Sequence, residues 1–261
     1  MLATGKPDFP FCLGWANETW SGIWHGKTDK ILIEQNYPGI DDYINHFNSN
    51  LIAFKDKRYI KINNKPIFYI YKPFQIPNPK EFLGIWNELA VKNGFEGIHF
   101  VANVINEKQI EDALQLGYNS VNTYWLRKAM LKVDKWQTNW NAIMYKLFNG
   151  RFRIPYFDYS AVMENFTDKL DENIKCYPTI LTGWDNSPRS GSRGLILKNY
   201  TPEKFLRHLK FVLDKVSHKP FEERIIFMKS WNEWAEGNYV EPDLKYGHSF
   251  LEILKNNIYD K

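Results

Sequence analysis

Residues 97–125 read GIHFVANVINEKQIEDALQLGYNSVNTYW, and this stretch decides the fold class. Its first run, Gly97 to Val104, is apolar almost throughout, which is typical of a strand buried on both faces of a parallel sheet. A helical pattern follows, which Asn106 opens and Gly117 ends, before a second strand-like run from Ser120 to Trp125. Strand, helix and strand in this order predict a parallel sheet with a crossover helix.

The same alternation runs through most of the chain. Four further strand-like runs are Phe11 to Ala16, Pro66 to Tyr71, Tyr177 to Trp184 and Arg224 to Trp231. Further helices are predicted after Asp41-Asp42, Asn78 and Thr201, and near Ser249. Right-handed crossovers leave a closed barrel or an open doubly wound sheet. Because no Gly-x-Gly-x-x-Gly turn or phosphate loop follows the first strand, a (β/α)8 barrel is favoured.

The six predicted strands are two fewer than that barrel needs. Residues 126–175, which include Trp136, Trp140 and Arg151-Phe152-Arg153, have room for one hidden strand. The simpler interpretation is that two strand–helix units are missing before Met1. We therefore expect residues 1–261 to form one incomplete barrel domain, truncated at its N-terminus, since a chain of this length is usual for a single barrel.

Composition excludes several classes of function. The net charge is +4 and no basic run carries interleaved aromatic residues, so nucleic acid binding is not expected. No apolar run approaches the ~20 residues needed to span a bilayer, and the N-terminus lacks the pattern of a signal peptide. Cys12 and Cys176 lie in apolar runs, which favours two reduced thiols and a cytoplasmic location.

Aromatic, amide and charged side chains concentrate where the predicted strands end, which is the edge that carries the active site of a (β/α)8 barrel. Sugar sites need such a mixture, with flat rings for the apolar faces of sugars and polar groups for their hydroxyls. We predict that substrate is bound by Trp15, Asn17, Glu18, Trp20, Tyr71, Tyr124, Trp184, Asp185, Asn186, Arg189, Trp231, Asn232 and Trp234.

Some of these residues have an ordinary structural interpretation as well. Glu18 is equally well explained by a salt bridge. Asp185 and Asn186 begin an Asp-Asn-Ser-Pro segment, which has the composition of a turn. Most of the aromatic residues, which make up 16% of the chain, are expected to pack in the core.

Glu233 and Glu236 are the candidate catalytic residues. Cleavage of a glycosidic bond needs an acid for the leaving oxygen and a second carboxylate across the anomeric carbon. The end of a strand places Glu233 at the barrel mouth, and a turn that Gly237 permits can return Glu236 to the same pocket. Trp231 and Trp234 are expected to exclude water from the pair.

Other kinds of chemistry have no support in the sequence. The histidines are scattered, and no His, Cys and Asp cluster has the spacing of metal ligands, so neither a metal nor another cofactor is expected. No Gly-x-Ser-x-Gly segment is present, and Cys12 and Cys176 lack a polar setting, so a Ser or Cys nucleophile is not expected either.

At these same residues the chain resembles the WbsX-type proteins, which carry a glycoside hydrolase family 99-like domain. The resemblance extends over nearly the whole chain. The matching stretches are Gly14-Trp15-Ala16-Asn17-Glu18-Thr19-Trp20, Ile31-Leu32-Ile33-Glu34-Gln35-Asn36-Tyr37, Trp184-Asp185-Asn186-Ser187-Pro188-Arg189 and Trp231-Asn232-Glu233-Trp234-Ala235-Glu236-Gly237, the last continuing to Glu241-Pro242-Asp243.

This resemblance implies a (β/α)8 barrel that works on bacterial surface polysaccharide, such as O-antigen or capsule. WbsX-type proteins are commonly described as glycosyltransferases, whereas the similar family 99 enzymes are retaining endo-acting mannosidases in which the 2-hydroxyl of the sugar is the nucleophile. Carried over by position, Glu233 is the base for that hydroxyl and Glu236 the acid/base. The chain departs from family 99 at Ala235, where a His is usual.

A second departure concerns the start of the chain, since WbsX-type proteins usually begin with about two further strand–helix units. The resemblance therefore implies a fragment, or a partner that supplies the missing barrel units. Three hypotheses follow: an enzyme that cleaves glycosidic bonds with two carboxylates, a glycosyltransferase that uses an activated sugar, and a non-catalytic glycan-binding remnant. In each of them the partner is an oligosaccharide or polysaccharide.

Overall fold

The computed structural model describes residues 1–22, 27–148, 154–191 and 194–259. These residues form two compact units. The first consists of Met1–Gly22 and Asp29–Asn122, and the second takes in the chain from Thr123 onward. Each unit is built from strands that alternate with helices.

The first unit contains the predicted parallel sheet. Its strands lie in the order β1 (Leu13–Trp15), β5 (Lys65–Ile70), β6 (His99–Val104) and β7 (Ser120–Thr123), with β4 (Lys61–Ile62) antiparallel to β5. The pairings of β1 with β5 and of β5 with β6 are parallel, and Phe68 is the partner of both Leu13 and Phe100. Two more strands, β2 (Trp20–Gly22) and β3 (Lys27–Ile33), form a separate two-stranded ribbon.

Three helices of the first unit confirm the sequence prediction, because their ends are set by local chemistry. They are α1 (Ile40–Phe54), α2 (Pro79–Lys92) and α3 (Glu107–Leu116). The Asn78 side chain accepts a hydrogen bond from the backbone N–H of Glu81, and Asn106 does the same for Gln109. Gly117 ends α3 with φ 104°, a left-handed conformation that glycine adopts without strain.

Aromatic side chains fill the core between these helices and the sheet. Trp86 of α2 is fully buried, and its ring packs against Phe68 of β5 and Phe82 of its own helix at 4.7 and 4.9 Å between centroids. Its indole N–H donates to the Tyr43 carbonyl at 3.0 Å, so the polar atom of the buried ring is satisfied. A good share of the aromatic content is thus core, as expected.

The second unit contains a parallel strand–helix–strand sequence. Strand β9 (Cys176–Leu181) pairs in parallel with β12 (Phe227–Lys229), and α8 (Pro202–Ser217) lies between them in the sequence. The Thr201 side chain caps α8, whose buried face contains Phe205, Leu209, Val212 and Val216 as predicted. The remaining elements are α4 (Leu126–Val133), α5 (Lys135–Leu147), β8 (Tyr156–Asp158), α6 (Tyr159–Met163), β10 (Trp184–Asp185), α7 (Ser187–Ser190), β11 (Ile196–Lys198), β13 (Asn232–Glu233), β14 (Asn238–Tyr239) and α9 (Ser249–Leu254).

Each of the six predicted runs contains a strand, four in the first unit and two in the second. Mixed α/β structure with six such strands is the predicted incomplete barrel type. Residues 126–175 supply the helices α4 and α5 and the short strand β8, and β8 pairs with β11 in a separate three-stranded sheet. The suggested extra barrel strand is therefore absent from the described part of this stretch, and Arg151-Phe152-Arg153 lie outside the described residues.

Within the described ranges, no helix combines the length and apolarity needed to cross a bilayer.

Candidate functional site

A tight hairpin after β12 carries the two candidate carboxylates. Strand β13 pairs antiparallel with β14, and Glu233 is opposite Asn238. A single 3-10 turn, Trp234–Glu236, joins the two strands, and Gly237 closes it with φ 62°. Glu233 is therefore the last residue of a strand, and Glu236 is the last residue of the turn that follows.

One guanidinium lies against both carboxylates. Arg189 Nη1 is 3.6 Å from Glu233 Oε1 and 3.7 Å from Glu236 Oε1. These two carboxylate oxygens are therefore no more than about 7 Å apart. The side chain of Glu236 is only 12% exposed, whereas that of Glu233 is 44% exposed. The sequence prediction that the turn returns Glu236 to the neighbourhood of Glu233 agrees with this geometry.

A second cation, Lys229 at the end of β12, contacts the buried member of the pair. Its Nζ is 3.8 Å from Glu236 Oε2 and lies over the rings of Trp184 and Tyr124, at 4.7 and 5.5 Å from their centroids. Two carboxylates and two cations make the cluster neutral overall. Sequence reasoning missed Lys229, although a lysine inside an otherwise apolar strand was a signal that could have marked it.

Close backbone contact holds the Arg189 loop against the hairpin. A Cβ added at Gly237 would be 2.8 Å from the backbone nitrogen of Asp185, and one added at Gly183 would be 2.9 Å from the Gly237 carbonyl. The short helix α7 then carries Arg189. Glycine is needed at both positions because a side chain would push the loop away from the two carboxylates.

Asp185 and Asn186 shape this loop. Asp185 Oδ1 accepts from the backbone N–H of Ser187 at 2.9 Å and from its hydroxyl at 2.6 Å. Asn186 Oδ1 accepts from the backbone N–H of Leu195 at 2.7 Å. Asp185 thus performs the turn chemistry that was its alternative to sugar binding, whereas Asn186 joins the two ends of the loop.

Hydroxyl groups fasten the hairpin to the end of β9. The carbonyl of Lys229 accepts from the Thr182 N–H at 2.8 Å and from its hydroxyl at 3.1 Å. Ser230 Oγ donates to the Asn238 carbonyl at 2.7 Å and accepts from the Glu233 N–H at 3.1 Å. The peptide bond between Lys229 and Ser230 is cis. Thr182 and Ser230 position Glu233, and neither was singled out from the sequence.

The aromatic residues near the pair differ in their surroundings. Trp184 and Tyr124 are half-buried against the core of the second unit. Trp234 stacks on Tyr239 with 3.7 Å between ring centroids, and its indole N–H donates to Glu241 at 2.7 Å. Trp231 and Trp234 are 52% and 49% exposed. The expectation that these two indoles exclude water from the carboxylates stays a prediction; Asn232 beside them is exposed as well.

In the first unit, Asn17 has a structural role. Its side chain is fully buried, and its amide nitrogen donates to the hydroxyl of Tyr37 and to the carbonyl of Lys72, both at 2.9 Å. Its amide oxygen accepts from the Lys72 N–H at 2.7 Å. The side chain is committed to joining two loops, so we withdraw Asn17 as a ligand of substrate.

The other predicted residues of the first unit divide into packed and exposed side chains. Trp15 packs in the aromatic core, edge-on to His46 at 4.7 Å between centroids. Glu18 forms the salt bridge that was its alternative, with Lys72 Nζ at 3.5 Å, and the same Nζ lies 4.6 Å from the centre of the Tyr71 ring. Trp20 is 58% exposed. The binding roles of Glu18, Trp20 and Tyr71 stay predictions.

The described residues offer no support for metal or thiol chemistry. Among the described residues, no group of three or more His, Cys, Asp or Glu side chains is placed to hold a metal ion. Cys12 and Cys176 are free thiols, and burial raises the pKa of both, that of Cys176 to about 11. A buried thiol with a raised pKa is a poor nucleophile.

Parallel strands that alternate with helices define the class of this protein as α/β of the barrel type. Within that class, a family model described as "Glycosyltransferase WbsX" matches residues 1–254, and the chain belongs to this family.

Similar proteins are known by sequence and by structure. "Uncharacterized protein WxcX" from two strains of Xanthomonas campestris pv. campestris is 26% identical over 249 residues, which are 94% of this chain and 34% of that protein. The chain thus spans about a third of the length of these curated relatives. A solved "Glycoside hydrolase-like protein" has the same fold, with a TM-score of 0.53 and 13% identity over 82% of this chain and 60% of its own. The GH99 endo-alpha-mannosidase from Bacteroides thetaiotaomicron has a TM-score of 0.47 and 17% identity over 79% and 54%.

Proposed function

We propose that this protein is an enzyme that acts on glycosidic bonds of bacterial surface polysaccharide, such as O-antigen or capsule, with Glu233 and Glu236 as its two catalytic carboxylates. The observation that carries the proposal is their approach to a single guanidinium, that of Arg189, at 3.6 and 3.7 Å. Cleavage of a glycosidic bond uses two carboxyl groups that flank the same bond, and two that share one guanidinium are close enough to serve one substrate.

The different exposure of the two carboxylates supports different roles. Glu236 is largely buried, which suits an acid/base that protonates the leaving oxygen. Glu233 is half-exposed and is proposed as the base that takes the proton of the sugar 2-hydroxyl. The oxygen of that hydroxyl then bonds to the anomeric carbon as the bond to the leaving oxygen breaks. Water then attacks the anomeric carbon as the bond from that carbon to the 2-oxygen breaks. Glu236 takes a proton from the water and Glu233 returns its proton to the 2-oxygen, so that Glu233 is again a carboxylate and Glu236 again an acid.

The side chains beside the pair support a sugar as the substrate. Trp184 and Tyr124 are half-buried rings next to Lys229. A ring face accepts the apolar face of a sugar. Trp184, Tyr124, Arg189, Trp231, Asn232 and Trp234 therefore stay proposed binding residues.

The test is cleavage of purified surface polysaccharides that carry a fluorescent label at the reducing end, analysed by size and mass. On a substrate that the protein cleaves, Glu236→Gln and Glu233→Gln are each expected to lower kcat by about two to four orders of magnitude, the size of a general acid–base contribution. Binding of the same polysaccharide is expected to persist. Glu252→Gln, an exposed carboxylate on α9, is the matched control and should retain full activity. Unchanged cleavage by both site variants would contradict the proposal.

The family description favours glycosyl transfer as a second candidate function. The same assay separates the two functions when nucleotide sugars and an unlabelled acceptor polysaccharide are added. Saturable binding of a nucleotide sugar in calorimetry, with growth of the acceptor and no new reducing ends, would favour transfer. Release of new reducing ends without a nucleotide sugar would favour hydrolysis.

A further inference from the structure

Helix α5 (Lys135–Leu147) turns an apolar face outward, the reverse of what is usual for a helix on a protein surface. Polar side chains lie on its other sides: Thr138 is buried, and its hydroxyl lies 2.7 Å from the Asp134 carbonyl and 3.1 Å from that of Met130. Gln137 donates from its side chain to the Tyr156 carbonyl at 3.1 Å. A surface helix normally turns its apolar stripe inward, so the outward face of α5 needs an explanation.

That outward face is a narrow apolar stripe. Trp136, Trp140, Ile143 and Leu147 are 76%, 46%, 52% and 71% exposed. Their spacing of four, three and four residues places them on one side of the helix, within about 60° at 100° per residue. The rings of Trp136 and Trp140 are 6.0 Å apart and form a continuous surface. No part of the chain that the structure describes covers this stripe.

The chain around the stripe is strongly basic. Residues 126–148 contain five Lys and Arg but a single acidic residue, Asp134, and the sequence continues with Arg151 and Arg153. Lys128 and Lys132 are paired with Asp168, at 2.7 and 3.9 Å. Lys135 and Lys146 are exposed. At 100° per residue they lie on the same flank of the apolar stripe, about 110° and about 90° from its centre.

We propose that this face of α5 is a membrane-surface anchor that binds an anionic phospholipid bilayer. The helix would lie in the plane of the interface, with Trp136, Trp140, Ile143 and Leu147 inserted at the boundary between headgroups and acyl chains. The flanking lysines would contact lipid phosphates. This inference is independent of the proposed catalytic function, since it uses none of the residues of the candidate site.

The chemistry of the stripe favours a bilayer over a protein surface. Tryptophan is enriched at membrane interfaces, where an apolar body meets a polar edge. Helices that lie on bilayers combine Trp and Leu on one face with Lys on the polar face, as α5 does. The excess of positive charge is complementary to anionic lipid and would oppose association with a second copy of this equally basic segment.

Flotation of the full chain with large unilamellar vesicles tests the proposal. One set contains phosphatidylcholine alone, and the other contains three parts phosphatidylcholine to one part phosphatidylglycerol. We expect binding to the anionic vesicles that weakens as salt is raised, and little binding to the neutral ones. Trp136→Ser combined with Trp140→Ser should reduce the partition coefficient at least about tenfold, and Lys135→Glu combined with Lys146→Glu should do so by about the same factor.

Matched controls distinguish binding through this face from non-specific adsorption and from the effects of misfolding. Phe221→Ser removes an aromatic ring that is 85% exposed elsewhere in the same unit, and Lys210→Glu reverses an exposed charge on α8. Both should bind vesicles like the unsubstituted chain, and all variants should keep its thermal unfolding midpoint.

Several results would overturn the anchor. The proposal is contradicted if the chain does not float with anionic vesicles, or if the tryptophan and lysine variants bind as well as the controls. Concentration-dependent self-association, abolished by Trp136→Ser with Trp140→Ser while vesicle binding is absent, would assign the stripe to a second copy instead.

Discussion

Arg189 is the residue on which both candidate carboxylates converge. At 3.6 and 3.7 Å its guanidinium nitrogen is within ion-pair distance of a carboxylate oxygen of each. Lys229 adds a second positive charge, on the side of Glu236 that Arg189 leaves open. At the scale of single residues, the site depends on these two cations as much as on the two acids.

We expect Arg189→Met to lower kcat/KM by about a hundredfold, because the two carboxylates lose the preorganised charge that separates their roles. Arg189→Lys keeps the charge but not the planar fork that reaches both acids, and should recover part of the activity. Steady-state kinetics on a cleaved polysaccharide measure this effect. Arg207→Met is the control, since that arginine pairs with Glu164 on the surface. If both Met variants retained full activity, Arg189 would have no role in the chemistry.

At the scale of elements, the β13–β14 hairpin and the α7 loop form one assembly through backbone contact. Gly237 adopts φ 62° and lies against Asp185, so the hairpin can approach the loop only without a side chain at this position. Gly191 also has a positive φ, 56°, but a Cβ there meets nothing within 4 Å. Alanine substitutions at the two glycines therefore distinguish the cost of backbone strain alone from the cost of strain together with a steric clash.

Gly191→Ala should cost on the order of 1–3 kcal/mol of unfolding free energy, the usual cost of a non-glycine residue in a sparsely populated backbone region, and leave activity unchanged. Gly237→Ala should cost more than this, because its Cβ would be 2.8 Å from the Asp185 nitrogen, and should reduce kcat/KM at least about tenfold as Arg189 moves from the carboxylates. Urea unfolding and kinetics on both variants provide the comparison. Equal effects on stability and activity would show that the close approach does not position the site.

Elements were predictable from the sequence where their causes are local. Asn78, Asn106 and Thr201 cap their helices as expected, since a cap bonds to an N–H two or three residues further along. The strand that leads to Glu233 and Glu236 was predicted too long. It ends at Lys229, because Ser230 bonds to Thr182 and the chain then enters the hairpin. The reversed face of α5 could not be predicted, because periodicity shows an apolar stripe but not the side to which it turns.

At the scale of the whole molecule, buried imidazoles contribute to the pH dependence of stability. His208 is fully buried, and its Nε2 accepts the Leu181 N–H at 3.1 Å, so the ring is held in the neutral form. Burial lowers the pKa of His208 from 6.5 to about 3 and that of His99 to about 4. The unfolded chain therefore binds more protons than the folded chain between the lowered values and pH 6.5.

The unfolding free energy should consequently fall as pH falls below about 6.5, by roughly 2–3 kcal/mol for each buried histidine between pH 6.5 and about 4.5. Urea unfolding at several pH values in this window measures the slope. His208→Gln keeps a hydrogen-bond acceptor but cannot titrate, so its stability should depend less steeply on pH. The control His248→Gln, at an exposed position, should retain the full slope. If the slope were the same for both variants, His208 would not contribute to acid destabilisation.

The sequence by itself determined the alternation of strands and helices, the α/β class and the pair Glu233 and Glu236. Hydrophobic periodicity, caps and a strand end are properties of neighbouring residues, so they are readable without coordinates. Tertiary structure decided which polar residues surround the pair and which are used up in the fold. Asn17 hydrogen-bonds to Lys72, 55 residues away, and Arg189 lies beside Glu236 where the backbones at Gly237 and Asp185 come into close contact. Such contacts depend on distances between remote parts of the chain, which no local pattern encodes.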